Sequence, residues 1–378
     1  MKYHRRIPVY ERLRKKLHEL RGSTNELTEE DTRAPVIKPF IFGKEEDLEN
    51  PVSEFEVWFT TAGDTDGRVF NYGFSLSRSG VEEGWMNYKT KSSRTFKPVF
   101  YREKDEITYS SKIPRTPQKF LSNAINNRRL IATVGKRLGI EYPKIALDWF
   151  NDAITVNAAD TAGSTKFTVA CLELTAIEES REEYGQFLSV FDDSIRGFEI
   201  AKTMNGSSKN AHLNKIRTVH ETIDHRKMLL PLQEESGGTL KIIVLYPSIR
   251  LSLMTGGVLF VDELSMQLHP LLVRYLIQTF ANPEKNPKNA QLIMTLQDVS
   301  HLNDCVLRRD EIWFTKKDHS GASTLYSLYD FEEDFKKPGS GEGEMKNYLM
   351  GKYGAIPLIQ KIASVGTDCH EEPRTVEI

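Results

Sequence analysis

The run Gly256-Gly-Val-Leu-Phe-Val-Asp-Glu263, followed by Leu-Ser-Met-Gln-Leu-His-Pro270, constrains the fold more than any other part of this chain. Val258 to Val261 are four apolar residues with two glycines before them and two acids after. That pattern predicts a short strand buried on both faces, of the kind found in parallel sheets covered by helices. At its carboxyl end the chain is already turning, so the adjacent acids Asp262 and Glu263 need not point to opposite faces. One can then reach a metal ion while the next orients an attacking water, as in phosphoryl transfer. The plainer alternative is an acidic pair that caps the following helix.

The periodicity around this strand divides the chain. Val9, Leu13, Leu17 and Leu20 stand at helical spacing, and a polar stretch follows them. From about residue 53 the period changes to two. Phe55, Val57 and Phe59 alternate with Glu54, Glu56 and Trp58; Phe70, Tyr72, Phe74 and Leu76 alternate after a Gly63–Gly67 turn. Further strands are predicted near Phe96–Tyr101 and Glu106–Tyr109. Helical patterns over 119–129, 144–153 and 184–202 give a mostly helical lobe with one strand near 167–174. From 231 onward the reading is strand–helix alternation: a helix over 240–253, the strand 258–261 and a helix over 271–280 with Pro270 in its first turn. Strands over 291–295, 311–316 and 323–329 complete a mainly parallel sheet. The expected organisation is therefore an N-terminal helix and linker (1–50), an antiparallel β section (51–112), a helical lobe (113–230), an α/β core (231–336) and a C-terminal linker, helix and tail (337–378).

Composition excludes little. The formal net charge of −2 gives no global attraction to nucleic acid or anionic membrane. Three widely spaced cysteines, Cys171, Cys305 and Cys369, suggest neither a disulfide framework nor a thiolate metal site. No apolar run approaches the ~20 residues needed to span a bilayer, and no apolar segment follows the basic start. A cytoplasmic protein that does not enter membranes is the expectation.

A second candidate precedes the acidic strand by one helix. Glu235-Ser-Gly-Gly-Thr239 puts glycines and small hydroxyls at a helix N-terminus, where free backbone N–H groups and the helix dipole favour an anion such as phosphate. A glycine-rich helix cap is the structural alternative. The short interval to Asp262 favours the phosphate reading.

These two motifs carry a family resemblance. Ser-Gly-Gly-Thr followed by Val-Leu-Phe-Val-Asp-Glu and Leu-His-Pro resembles the signature and Walker B elements of ABC-type ATPase heads. The nearest likeness is to bacterial AAA family ATPases, the ATP-binding proteins of abortive infection and phage defence. The likeness extends through Asn289–Thr295, Leu307–Phe314, Leu325–Phe331 and Tyr348–Pro357, and Pro51–Phe59 and Tyr72–Phe74 match its β section. The resemblance implies an α/β P-loop NTPase fold with an antiparallel β section and an inserted helical lobe, its sheet incomplete at the N-terminal side. It implies Mg²⁺ with ATP as cofactor, Asp262 on the metal and Glu263 polarising the hydrolytic water. Ser236, Gly237, Gly238 and Thr239 would contact the γ-phosphate of ATP bound to a second copy, so a nucleotide-driven homodimer is implied, with an effector protein as a further partner.

Two departures accompany the likeness. No Gly-x-x-x-x-Gly-Lys-[Ser/Thr] loop occurs in the 378 residues; the family places it upstream of the position where Met1 falls. The chain alone is expected to hydrolyse ATP poorly or not at all. At Thr295-Leu-Gln-Asp298 the family has a histidine where Gln297 stands, and Gln297 can donate a hydrogen bond but carries no charge. His301 lies one helical turn further and could substitute for that histidine, but a core or surface role is the expectation. Rival readings are a non-catalytic ATPase-like module that binds an effector and a DNA-repair-type head, the latter supported only by scattered basic residues. Arg308-Arg309-Asp310 reads as a salt-bridged turn, and His220 and His225 lack the spaced partners of a zinc site.

Overall fold

The computed structural model describes residues 51–61, 64–157, 178–200, 216–302, 306–331 and 343–356. The predicted helix over 9–20 and the strand near 167–174 lie outside them. The chain divides into two compact units, Met1–His301 and Leu302–Ile378.

The first unit begins with five antiparallel strands in sequential order: β1 (Ser53–Phe59), β2 (Val69–Ser77), β3 (Gly80–Lys89), β4 (Lys97–Glu103) and β5 (Glu106–Tyr109). Register explains the alternation. Phe59 opposes Phe70, which opposes Tyr88, while Val57 opposes Tyr72, which opposes Met86, so one face is a continuous apolar surface. Helices α1 (Arg115–Ala124), α2 (Ile131–Arg137) and α3 (Glu141–Asp152) cover that face through Leu121, Ile131, Val134, Tyr142 and Ala146. The opposite face is polar. Asn71 donates to Glu56 at 2.7 Å and Asn87 to Asn71 at 2.9 Å, giving a cross-strand amide ladder.

Directly after α3 the chain enters β6 (Ile154–Asn157), the outermost strand of the second sheet among the described residues. In that sheet β10 (Val258–Asp262) runs parallel to both β6 and β11 (Gln291–Met294), in the order β11-β10-β6. The predicted buried strand is thus central, and Leu259 and Val261 are almost fully buried. Among the described residues no strand pairs with the outer edge of β11.

The stretch read as helical holds α4 (Glu178–Phe191) but also a three-stranded antiparallel sheet, β7 (Ile195–Ile200), β8 (Ile216–Glu221) and β9 (Lys227–Pro231). The helical reading of 184–202 is corrected at Asp192. The Asp192 carboxylate accepts from the Ser194 amide and hydroxyl, which turns the chain out of the helix.

α5 (Gly237–Thr255) packs on β6 and β10, and α6 (Pro270–Ala281) follows β10. Pro247 inside α5 cannot donate to Ile243, four residues back. The Tyr184 hydroxyl of α4 donates to that carbonyl instead, at 2.7 Å, and the Tyr184 and Tyr246 rings stack at 4.2 Å. The lost helical bond is thereby replaced, and α4 is docked on α5.

Gly256 ends α5 in the left-handed conformation, with φ of 74°, and a Cβ there would lie 2.6 Å from the Lys288 carbonyl oxygen. Gly256→Ala is expected to destabilise the unit by at least about 1–2 kcal/mol, the cost of a left-handed L-residue, with the clash adding to it. The midpoint of a urea melt checks this; an unchanged midpoint would refute the steric argument.

The second unit holds an antiparallel hairpin, β12 (Trp313–Lys317) and β13 (Ser323–Ser327), and α7 (Gly343–Leu349). The strands predicted here therefore do not belong to the parallel sheet. They pair with each other because the Asp318-His-Ser-Gly321 turn reverses the chain between them. Ile312, Phe314, Leu328 and Tyr353 form the core. Arg308 is exposed and pairs with Asp310 at 3.0 Å and Glu311 at 3.1 Å, as expected of a salt-bridged turn. Arg309 instead turns inward to Glu344 and to the Leu328 and Phe331 carbonyls. Burial, with Glu344 beside it, pushes the Tyr353 hydroxyl up to about 12.

Candidate functional site

The site is built where β10 and β11 end. Parallel pairing sets Val261 opposite Met294, so Asp262, the last residue of β10 and still paired with Asn157 of β6, stands beside Thr295, the residue that follows β11. Thr295 then serves both acids. Its hydroxyl donates to Asp262 Oδ1 at 2.6 Å and accepts from the Glu263 amide at 2.7 Å. Glu263 sits in the left-handed region with φ of 53°, which turns the chain sharply just after Asp262. Gln297, further along the loop after β11, donates from Nε2 to Glu263 Oε1 at 3.3 Å. Asp262 is exposed and Glu263 half-buried, so both carboxylates face an open site.

α5 begins beside this turn. Ser236 caps it, its hydroxyl accepting from the Thr239 amide at 3.1 Å, and Gly237 and Gly238 follow as the first residues of the helix. The cap is therefore formed, and one hydroxyl is used by the helix, while Ser236 and Gly237 remain exposed to solvent. A Cβ on Gly238 would lie 2.9 Å from the Gln267 carbonyl oxygen, so the helix start and the turn after Glu263 touch at a position only glycine fills without strain. Thr239 is also held by Asp192, whose Oδ2 accepts at 3.3 Å. Burial works against the Asp192 carboxylate, but Ser194 and Thr239 outweigh it and keep its pKa below the usual range. Glu235, just before the cap, accepts from Thr218 and pairs with His220 at 2.8 Å. His220 is thus engaged in the β8–β9 hairpin, and His225 pairs with Glu221.

One charged residue of the site has no counterpart in the sequence reading. Lys241 lies in the first turns of α5, only 3% exposed, among Ile242, Ile243, Val244 and Leu245. Its ammonium donates to the Glu263 carbonyl at 2.8 Å and the Met266 carbonyl at 2.6 Å. Burial pulls its pKa down to about 8, against the opposing pull of the Glu263 charge. A single lysine inside an otherwise apolar helical run was the available signal.

His301 is buried at 3% exposure on the short helical turn Val299–His301, and burial lowers its pKa. Its Nε2 lies 3.6 Å from Asp298 and makes no hydrogen bond. It is packed into the first unit, which settles the core-or-surface expectation in favour of the core.

Among the described residues no group of three or more His, Cys, Asp or Glu side chains could hold a metal ion. An all-protein cation cage is therefore not built there. Asp262 with the Thr295 hydroxyl beside it is nevertheless a suitable donor set for magnesium, which keeps water and takes one or two carboxylates with substrate phosphate. Among the same residues no helix is long and apolar enough to cross a membrane.

A parallel strand ending in two acids, between a polar loop on one side and a glycine-rich helix start on the other, is the architecture of an α/β nucleotide-handling core. A family model described as "AAA domain, putative AbiEii toxin, Type IV TA system" matches residues 52–295, more than half of the chain. The chain belongs to this AAA family, and its fold class is that of the P-loop NTPases. A search of curated proteins finds no match.

Proposed function

We propose that this chain is an ABC-type ATPase head of a phage-defence system, with ATP held between two copies. The observation that carries the reading is the joint hold of Thr295 and Gln297 on Asp262 and Glu263 at the open end of β10. In this reading Asp262 would hold Mg²⁺, which when bound would neutralise negative charge on the phosphates of ATP. Glu263 orients the attacking water and receives its proton. Gln297 holds the Glu263 carboxylate in place and offers its amide to the phosphate. Ser236, Gly237 and Gly238 of one copy present backbone N–H groups to the γ-phosphate bound by the other, and Thr239, whose amide serves the Ser236 cap, holds that turn in shape. Because no phosphate loop occurs in the 378 residues, turnover by this chain alone is slow.

Calorimetric titration of the full chain with ATP tests the proposal. ATP heat should appear with Mg²⁺, fall at least about tenfold in affinity with EDTA, and fall similarly in Asp262→Ala. Absence of any ATP-dependent heat would refute it in favour of a non-catalytic module that binds an effector. The neutral Gln297 and the lack of a phosphate loop are the observations that favour that second reading.

A further inference from the structure

We propose that Lys241 is a positioning residue that locks the turn carrying Glu263 to the glycine-rich start of α5, so that the two respond to nucleotide as one element. The proposal rests on the ATPase reading above for the identity of the nucleotide, and on geometry for the lock itself.

The turn after β10 needs external support. Two of its residues, Glu263 and Gln267, hold left-handed backbone conformations with φ of 53° and 61°. Non-glycine residues stay there only when their surroundings over-determine them. Local bonds from Met266 N to the Glu263 carbonyl and from Leu268 N to the Ser265 carbonyl close the turn on itself. Among the described residues, Thr295, through its hydroxyl and carbonyl, and Gln297, through its side chain, tie the start of the turn to β11 and the loop after it. Lys241 supplies the tie to the helix, and it bridges the first and last carbonyls of the Glu263–Met266 turn. On the same side the bare Cα of Gly238 meets the Gln267 carbonyl. The helix start and the turn are thus joined at two points one helical turn apart.

The choice of a lysine is itself informative. Its neighbours along the helix are buried aliphatic residues, and a buried ammonium is costly unless its donors are used. An aliphatic residue would pack there but could not hold two carbonyls. A charge-assisted donor fixes the carbonyl of the residue whose side chain orients water, which an apolar contact cannot do. In a dimer with ATP between copies, the α5 start would face the nucleotide of one site and Glu263 that of the other. Lys241 would then couple the two sites, because moving either end moves the other.

Hydrogen-exchange mass spectrometry on the full chain tests this without nucleotide. Lys241→Met keeps the length and removes the donors; Lys241→Gln keeps one donor. Exchange of the 264–268 amides should accelerate about tenfold or more in Lys241→Met and less in Lys241→Gln, with β1–β5 unchanged. Unchanged exchange in the turn, or equal acceleration throughout the unit, would overturn the lock. Adding Mg²⁺ with a non-hydrolysable ATP analogue to the wild type should protect 236–241 and 263–268 together, and in Lys241→Met only one of them. Joint protection in the variant would overturn the coupling. No protection in the wild type would instead defeat the ATPase reading, while the nucleotide-free comparison still decides the lock.

Discussion

Glu263→Gln should lower the ATP turnover of the full chain by about a hundredfold or more while leaving Mg²⁺-dependent ATP binding in place. General-base catalysis by a positioned carboxylate contributes roughly 10²–10⁴-fold, and glutamine keeps the shape but cannot take the water's proton. The backbone is not at risk from this change. The Glu263 amide and carbonyl, held by Thr295 and Lys241, are the same groups in either residue. Gln297 would lose a charged acceptor on Oε1 and keep a neutral one. Because slow turnover is expected, the measurement is a single-turnover one, with chain in excess over labelled ATP. A variant within about threefold of wild type would remove Glu263 from the chemistry.

The acids and the glycine-rich helix start stand out in the sequence because each is a local pattern of residue types, whereas Gln297 stands out only through the family resemblance. The residues that join them do not stand out. Thr295 acts on Asp262 and Glu263 only because β11 lies beside β10 in parallel register, a pairing across more than thirty positions that no local period announces. Lys241 reaches the Glu263 turn across the packing of α5 on β10, where its neighbours look like an ordinary apolar helix.

The fold was read where alternation is clean and missed where it is broken. β1 and β2 alternate without interruption. β3 carries Glu82, Glu83 and Gly84 in succession, and its pairing shifts register at both ends, between Ser75 and Leu76 and between Met86 and Asn87. β6 continues without a break from a helix of similar composition and is defined only by its pairing with β10. In β7 and β8 charged residues on the outer face, such as Arg196, Glu199 and Arg217, leave too few apolar positions to separate a period of two from a helical one. The lobe was consequently assigned helices where antiparallel strands form.

The second large effect concerns the first unit as a whole. Arg102→Met should lower its stability by about 3 kcal/mol, which for a unit of this size corresponds to a fall in melting temperature of roughly 6–12 °C. Arg102 on β4 is 1% exposed and, among the described residues, meets no carboxylate within hydrogen-bond reach. Its guanidinium donates instead to three carbonyls, those of Lys104 at 2.5 Å, Arg129 at 2.6 Å and Asn126 at 2.9 Å. A buried ion pair can sometimes be replaced by apolar residues without loss, because both charges leave together. Here the acceptors are backbone and remain. A carbonyl left without a donor costs about 1–3 kcal/mol where it is buried, and the cost is reduced at the exposed Lys104 and Asn126, where water can reach, and less so at the half-buried Arg129. The same carbonyl-rich segment also receives the Val81 amide through Asn127 at 2.7 Å, so loosening it frees the turn between β2 and β3. A methionine variant that melts within about 2 °C of wild type would show that solvent satisfies these carbonyls and that Arg102 does not clamp the loop after α1 to the sheet.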